Sequence, residues 1–207
     1  MASDRSGGDH GGRRGKTRTA ILDAAMQCCT RIGLERVAMS DIATEAGIGR
    51  ATLYRHFNDF DAILVALISR EIADLVLKLK EVAASFSSLE DKAIEPMIYW
   101  LREAPRIRIL QMLFDHDVAS LNRLAFYADE FKLLGEDYCA LIFEQAVREG
   151  RIRKNVTLKE YAEWITRIQL SLRFYSHYDH DDEERNRDFL RKFLIPSLFL
   201  PIYNSTS

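Results

Sequence analysis

Six cationic side chains stand close to one another near the start of this 207-residue chain or within one short later stretch: Arg13, Arg14, Lys16 and Arg18, then Arg50 and Arg55 with His56 beside them. Guanidinium and ammonium groups neutralise phosphates, and a guanidinium can also grip the O6 and N7 of guanine through two parallel hydrogen bonds. Residues 1–57 hold nine Lys and Arg against six Asp and Glu, a net of +3; the remainder carries −5, for a total of −2. Taken whole, that total argues against a nucleic-acid partner. Split, it describes a small basic unit ahead of a larger acidic body.

Other chemistries find less support. Asp115, His116 and Asp117 offer three metal ligands in a row, but adjacent residues on a helix point apart. His177 and His180, three apart among Asp179, Asp181 and Asp182, could share an ion. An acidic stretch there also suits a solvated connection and the start of a helix, which is the preferred reading, so no metal is expected. Cys28, Cys29 and Cys139 are odd in number and two are adjacent, which suits buried reduced thiols rather than disulfides or zinc. There is no Gly-rich phosphate loop, nucleophile elbow or HExxH, and neither an enzyme nor a cofactor is expected.

The elements that must position the cations are helical. With 47% hydrophobic and 29% charged residues and only 4 prolines, the chain can bury a core. Its apolar stretches fall short of the roughly 20 residues of a membrane span, and no apolar leader follows Met1, so a cytoplasmic protein is expected. Residues 1–15, with five of the ten glycines, read as a disordered basic arm. From Thr17, Ile21, Ala24, Ala25, Cys28 and Ile32 recur at helical spacing until Gly33. Short helices follow over about Met39–Ala46 and Arg50–Phe57, joined by Gly47-Ile48-Gly49; this is a helix-turn-helix with Leu53, Tyr54 and Phe57 inward. A long helix is predicted from Phe60 to about Ala84, capped by Asn58-Asp59. Further helices are predicted at 90–104, 106–113, 118–130, 131–149, 158–178 and 182–200, with Thr157 and Glu160 forming a capping box.

Gly33, Ile42-Ala43, Ala46-Gly47-Ile48, Thr52-Leu53-Tyr54, His56-Phe57 and the run Asp61 to Leu64 together resemble the DNA-binding domain of the TetR family of transcriptional regulators. The resemblance covers about Thr17 to Leu67. It implies an all-α protein: an N-terminal three-helix DNA-binding domain (16–60) joined by a long helix to a C-terminal helical ligand-binding and dimerisation domain (61–207), about nine helices in total. The recognition helix would set Gly49, Arg50 and Ala51 against base edges, with Arg50 able to pair with guanine. Thr52, Tyr54 and His56 match positions that hold phosphates or pack beside the backbone, and Arg55 is either a contact or a solvated charge. Arg13, Arg14, Lys16 and Arg18 would track phosphates or the minor groove.

Three positions depart from the family pattern. Ala38 stands where a Thr usually caps the second helix, Gly49 where Ser is usual, and Phe60 where Lys is usual. Each lost phosphate contact weakens sequence-independent affinity, so the basic arm is expected to carry more than its usual share.

The resemblance also implies a homodimer, because one short helix reads too few bases. Ile165, Leu172, Phe189, Phe193, Leu194 and Phe199, on the last two helices, are the interface candidates. Polar or aromatic groups within buried helices mark a pocket, and Met97, Trp100, Met112, Phe114, Tyr138, Phe143, Trp164 and Gln169 are the lining candidates. Arg167 and Arg173 are the charges that could enter it. The partners expected are a palindromic double-stranded DNA operator, a second copy and a small apolar or amphipathic effector (an acyl chain, lactone or aromatic), with no membrane. The reading is a ligand-responsive repressor; a ligand-binding or scaffold protein that keeps the helix-turn-helix only as structure is the alternative.

Overall fold

The structure is a computed structural model that describes residues 10–116, 129–175 and 182–201. Among the described residues every regular element is helical, and the chain divides into two compact units, Met1–Arg70 and Glu71–Ser207.

The first unit holds α1 (His10–Ile32), a 3-10 turn (Leu34–Arg36), α2 (Met39–Glu45), α3 (Arg50–His56) and α4 (Phe60–Glu71). α1 begins at His10 rather than Thr17. Its opening residues include Gly11, Gly12 and Gly15, poor helix formers without an apolar stripe, so periodicity could not reveal them. The expected arm before His10 lies outside the described residues. Ile21, Ala24, Ala25 and Cys28 are buried, joined by Leu22 and Cys29, and α1 packs on α2 through this face.

α2 lacks a side-chain acceptor at its N-cap, Ala38. Half of a capping box survives: the Asp41 carboxylate accepts the Ala38 N–H at 2.9 Å. At the other end Gly47 takes φ +64°, a left-handed conformation that suits glycine. There the Ile48 N–H bonds the Ala43 carbonyl (3.0 Å) and the Gly47 N–H bonds Thr44 (3.1 Å), which is a Schellman closure. That closure turns the chain into α3. Gly49 caps α3 with its carbonyl alone, accepting from Thr52 and Leu53 at 2.9 and 3.1 Å. Asp59 caps α4 by accepting the Ala62 N–H at 2.8 Å.

The stretch expected as one long helix is two, α4 and α5 (Ala73–Ser85), which part at Ile72 (φ −92°, ψ −2°). The Val76 N–H still reaches the Ile72 carbonyl at 2.9 Å, so the interruption is short. Neither Gly nor Pro marks it, and apolar spacing runs through it unchanged.

The second unit adds α6 (Leu89–Glu103), a 3-10 turn (Ala104–Arg106), α7 (Arg108–His116), α8 (Asp129–Arg148), α9 (Leu158–Tyr175), α10 (Glu183–Phe189), a π turn (Leu190–Leu194) and α11 (Ile195–Leu198). α6 is its hub, packing on α5, α8, α9 and α10 with Ala93, Ile94, Met97 and Ile98 buried. Ser88 accepts the Asp91 N–H (3.0 Å) at the start of α6. The expected box at α9 is present, with the Thr157 N–H donating to Glu160 (2.9 Å) and the Glu160 N–H to Thr157 Oγ1 (3.3 Å). Asp129 and Glu130 open α8 instead of closing a separate helix, and the rest of that expected helix lies outside the described residues, as does the end of the one expected over 158–178. The final expected helix is interrupted by the π turn. Arg151, buried, pairs with Glu90 at 2.6 Å and donates to the Leu200 carbonyl at 3.1 Å, which ties the C-terminal residues back to α6.

Candidate functional site

α3 turns Leu53 inward, with Phe57 just beyond its end, and leaves Arg50, Ala51, Tyr54 and Arg55 exposed. Positions i, i+1, i+4 and i+5 share one helix face. Tyr54 was expected inward; it is 51% exposed, because Leu53 and Phe57 already fill the contact and the ring lies on the outer face. Gly49, at the head of α3, is exposed, while Thr52 and His56 are half-buried on its flanks. A Cβ placed on Gly49 would meet nothing within 4 Å, so glycine is not sterically required there.

Arg14, Lys16 and Arg18 are exposed along α1, and Arg13 falls in the same helix. Arg18 lies over the Phe57 ring, with Cζ 4.4 Å from its centroid. Around His56 the N-terminal part of α1 and the end of α3 converge. Desolvation first, then the charges of Arg14, Arg55 and Arg18, hold its imidazole below the ordinary value. Asp59 does not project freely against this positive surface, because its carboxylate is engaged in capping α4. The arrangement suits a polyanion: a protruding helix bearing one guanidinium at its head, flanked by cations that can hold a phosphate backbone.

The sequence profile described as "Bacterial regulatory proteins, tetR family" matches residues 21–67, which span α1 to α4. The helix-turn-helix domain belongs to the TetR family. The HTH-type transcriptional regulator Rv2250c of Mycobacterium tuberculosis is 37% identical over 76 residues, 37% of this chain and 35% of the relative. The chain thus aligns with about a third of the length of that relative. The HTH-type transcriptional repressor KstR2 of Rhodococcus jostii is 27% identical over 157 residues, 73% of this chain and 74% of its own. These relatives are named as regulators of transcription, a role that involves no catalysis. Among solved structures, RolR in complex with resorcinol superposes with a TM-score of 0.66 at 16% identity, covering 91% of this chain and 90% of its own. That likeness extends the shared fold beyond the TetR-family domain.

In the second unit the lining candidates fall into separate groups. Trp100 and Phe114 meet edge to face at 6.0 Å, and Phe114 meets Phe174 at 5.6 Å. Phe174 was missed in the sequence, since one aromatic at the end of a helix carries no signal by itself. Phe143 meets Tyr161 edge to face (5.7 Å), and Tyr161 lies tilted against Phe199 (6.3 Å). Met97 and Tyr138 are buried and Met112 is half-buried. Trp164 is 41% exposed and donates to Ser197 at 3.1 Å. Gln169 is buried. Arg167 stays exposed and pairs with Glu163 at 2.6 Å, whereas Arg173 sets its Cζ 4.9 Å from the Phe114 centroid. A separate surface recess of about 130 Å³ is lined by Val82, Phe86, Glu95, Ile98, Tyr99, Arg102 and Arg187, none of them a lining candidate.

Of the interface candidates, Ile165, Leu194 and Phe199 are buried within their own chain and Leu172 is half-buried. Phe189 and Phe193 are 46% and 63% exposed, with ring centroids 4.8 Å apart. Among the described residues no group of three His, Cys, Asp or Glu could hold a metal, and no helix is long and apolar enough to cross a membrane. The His177–Asp181 segment, like Asp117, lies outside the described residues.

Proposed function

We propose that the protein is a ligand-responsive, sequence-specific transcriptional repressor that works as a homodimer on a palindromic operator and leaves it when a small apolar or amphipathic effector binds the second unit. The observation that carries this reading is the outer face of α3, with Arg50, Tyr54 and Arg55 exposed on a TetR-family domain whose α1 adds a row of cations beside it. Arg50 would read a base, while Arg14, Lys16, Arg18, Thr52, Tyr54 and His56 would hold phosphates. Two copies are required because one α3 spans too few base pairs, and half-sites would sit about 34 Å apart. The exposed Phe189–Phe193 pair, an apolar surface on an otherwise charged helix, supports a second copy as the occupant. KstR2, similar in sequence, is named a transcriptional repressor, and RolR, similar in fold, holds the small aromatic resorcinol; both are in keeping with this reading.

Fluorescence anisotropy with the DNA upstream of the protein's own gene tests this. The expected result is a specific complex that survives non-specific competitor and weakens steeply between about 50 and 200 mM salt. Absence of any complex at the lower salt would leave the helix-turn-helix a structural relic.

A further inference from the structure

α9 places Tyr161, Ile165, Gln169 and Arg173 at four-residue intervals, and therefore along one face. That face is turned inward: Tyr161, Ile165 and Gln169 are each less than 10% exposed. Burying polar atoms is costly unless they are paired, and more so for a charged group. Yet Nε2 of Gln169 and Nε of Arg173 are both buried without a hydrogen-bond partner. Gln169 is only 8% exposed, so bulk solvent does not serve its amide.

Both orphaned atoms are donors, and one belongs to a permanent cation. Their complement is an acceptor that carries negative charge. A carboxylate suits the Nε edge of a guanidinium, which can present two parallel N–H groups to its two oxygens. The two residues are one helical turn apart, about 6 Å along the axis, close enough for one head group to meet both. The surroundings are apolar and aromatic. Arg173 lies over Phe114, which is flanked by Trp100 and Phe174.

We propose that Gln169 and Arg173 on α9 bind the carboxylate of a small amphipathic acid whose apolar body lies against Trp100, Phe114 and Phe174. The proposal rests on the reading of the second unit as an effector domain and narrows the effector to an acid. A neutral hydrocarbon leaves both buried N–H groups without an acceptor, so the acid is selected by the cost of the alternative.

The protein has two tryptophans, so Trp164→Phe leaves Trp100 as the single reporter at the site. Decanoate and 2-naphthoate, each compared with its primary amide, are titrated into this variant without DNA. The expected result is saturable change in Trp100 emission, with at least one acid binding ten-fold or more tightly than its amide; the better acid tells an acyl body from an aromatic one. Gln169→Leu and Arg173→Met should each abolish that preference, with helicity checked by circular dichroism. Equal binding of acid and amide, or no binding of either acid, overturns the proposal, and this comparison stands even if a variant fails to fold. Because DNA is absent, failure here is separate from failure to bind an operator.

Discussion

The guanidinium of Arg18 rests on the ring of Phe57, 4.4 Å from its centroid, so a cation of α1 is held against the foot of the recognition helix. A stacked arginine loses little freedom when it meets a phosphate. Arg18→Ala should weaken binding to all DNA sequences about equally and lower the salt slope by about one unit, whereas Arg18→Lys should keep the slope but lose the stacking. Anisotropy titrations across salt concentrations on specific and random duplexes measure both quantities. A loss confined to the specific duplex would show that Arg18 reads bases.

Arg50 should behave in the opposite way. It is exposed in the first turn of α3, where a side chain can reach base edges. Arg50→Ala is expected to cost about 1–3 kcal/mol on the specific site and little on random DNA, with tolerance widening at one base pair of each half-site. Binding selections from randomised duplexes would reveal that change.

His56 gives DNA binding a pH dependence whose sign is set by its neighbours. In the free protein, desolvation and the charges of Arg14, Arg55 and Arg18 depress its pKa below 6.5. A phosphate laid on these groups offsets their repulsion and raises that pKa, so binding takes up protons. Affinity should therefore increase as pH falls from about 8 to 6, and His56→Gln should flatten the profile. Measuring Kd at constant salt across this range is sufficient, and an affinity that fell on acidification would contradict the assignment.

Ala38 is an exposed N-cap in extended conformation (φ −101°, ψ 155°), so a larger side chain fits its backbone. Ala38→Thr would supply the missing acceptor for the Asp41 N–H and complete the box that Asp41 has begun. A gain of about 1 kcal/mol is expected, or about 2–4 °C in Tm. Thermal unfolding followed by circular dichroism tests this, and an unchanged midpoint would mean that the existing Asp41–Ala38 hydrogen bond already suffices.

The first unit was legible because its signals are local. Gly47 marks a left-handed turn, the apolar residues of α1 and α3 repeat at helical spacing, and the cations lie on the opposite faces. Its misreadings also have local causes. Gly11, Gly12 and Gly15 hide the first turns of α1, and Tyr54 looks like core until Leu53 and Phe57 are seen to fill the contact. The break at Ile72 involves no helix-breaking residue type and could not be read. In the second unit, spacing placed Met97, Tyr138 and Gln169 in the interior, where they are, but also Trp164, which is 41% exposed, and it could not sort these residues into clusters. Trp100 and Phe114 were both chosen, yet their neighbour Phe174 and the orphaned atoms of Gln169 and Arg173 depend on how α6, α7 and α9 come together. That arrangement is non-local.

The burial of the three cysteines has a consequence for the kind of signal this protein can read. Cys28, Cys29 and Cys139 are enclosed in the cores of their units, and burial pushes the Cys29 thiol up to about 12 and raises the other two. At neutral pH a thiol with that pKa is ionised in about one molecule in 10⁵, and thiolate is the form that peroxides and electrophiles attack. The buried thiols are therefore expected to react slowly with oxidants and alkylating agents while the protein is folded. For the repressor proposed above, the effector is then expected to act by reversible binding, and the response to lapse once that molecule is consumed.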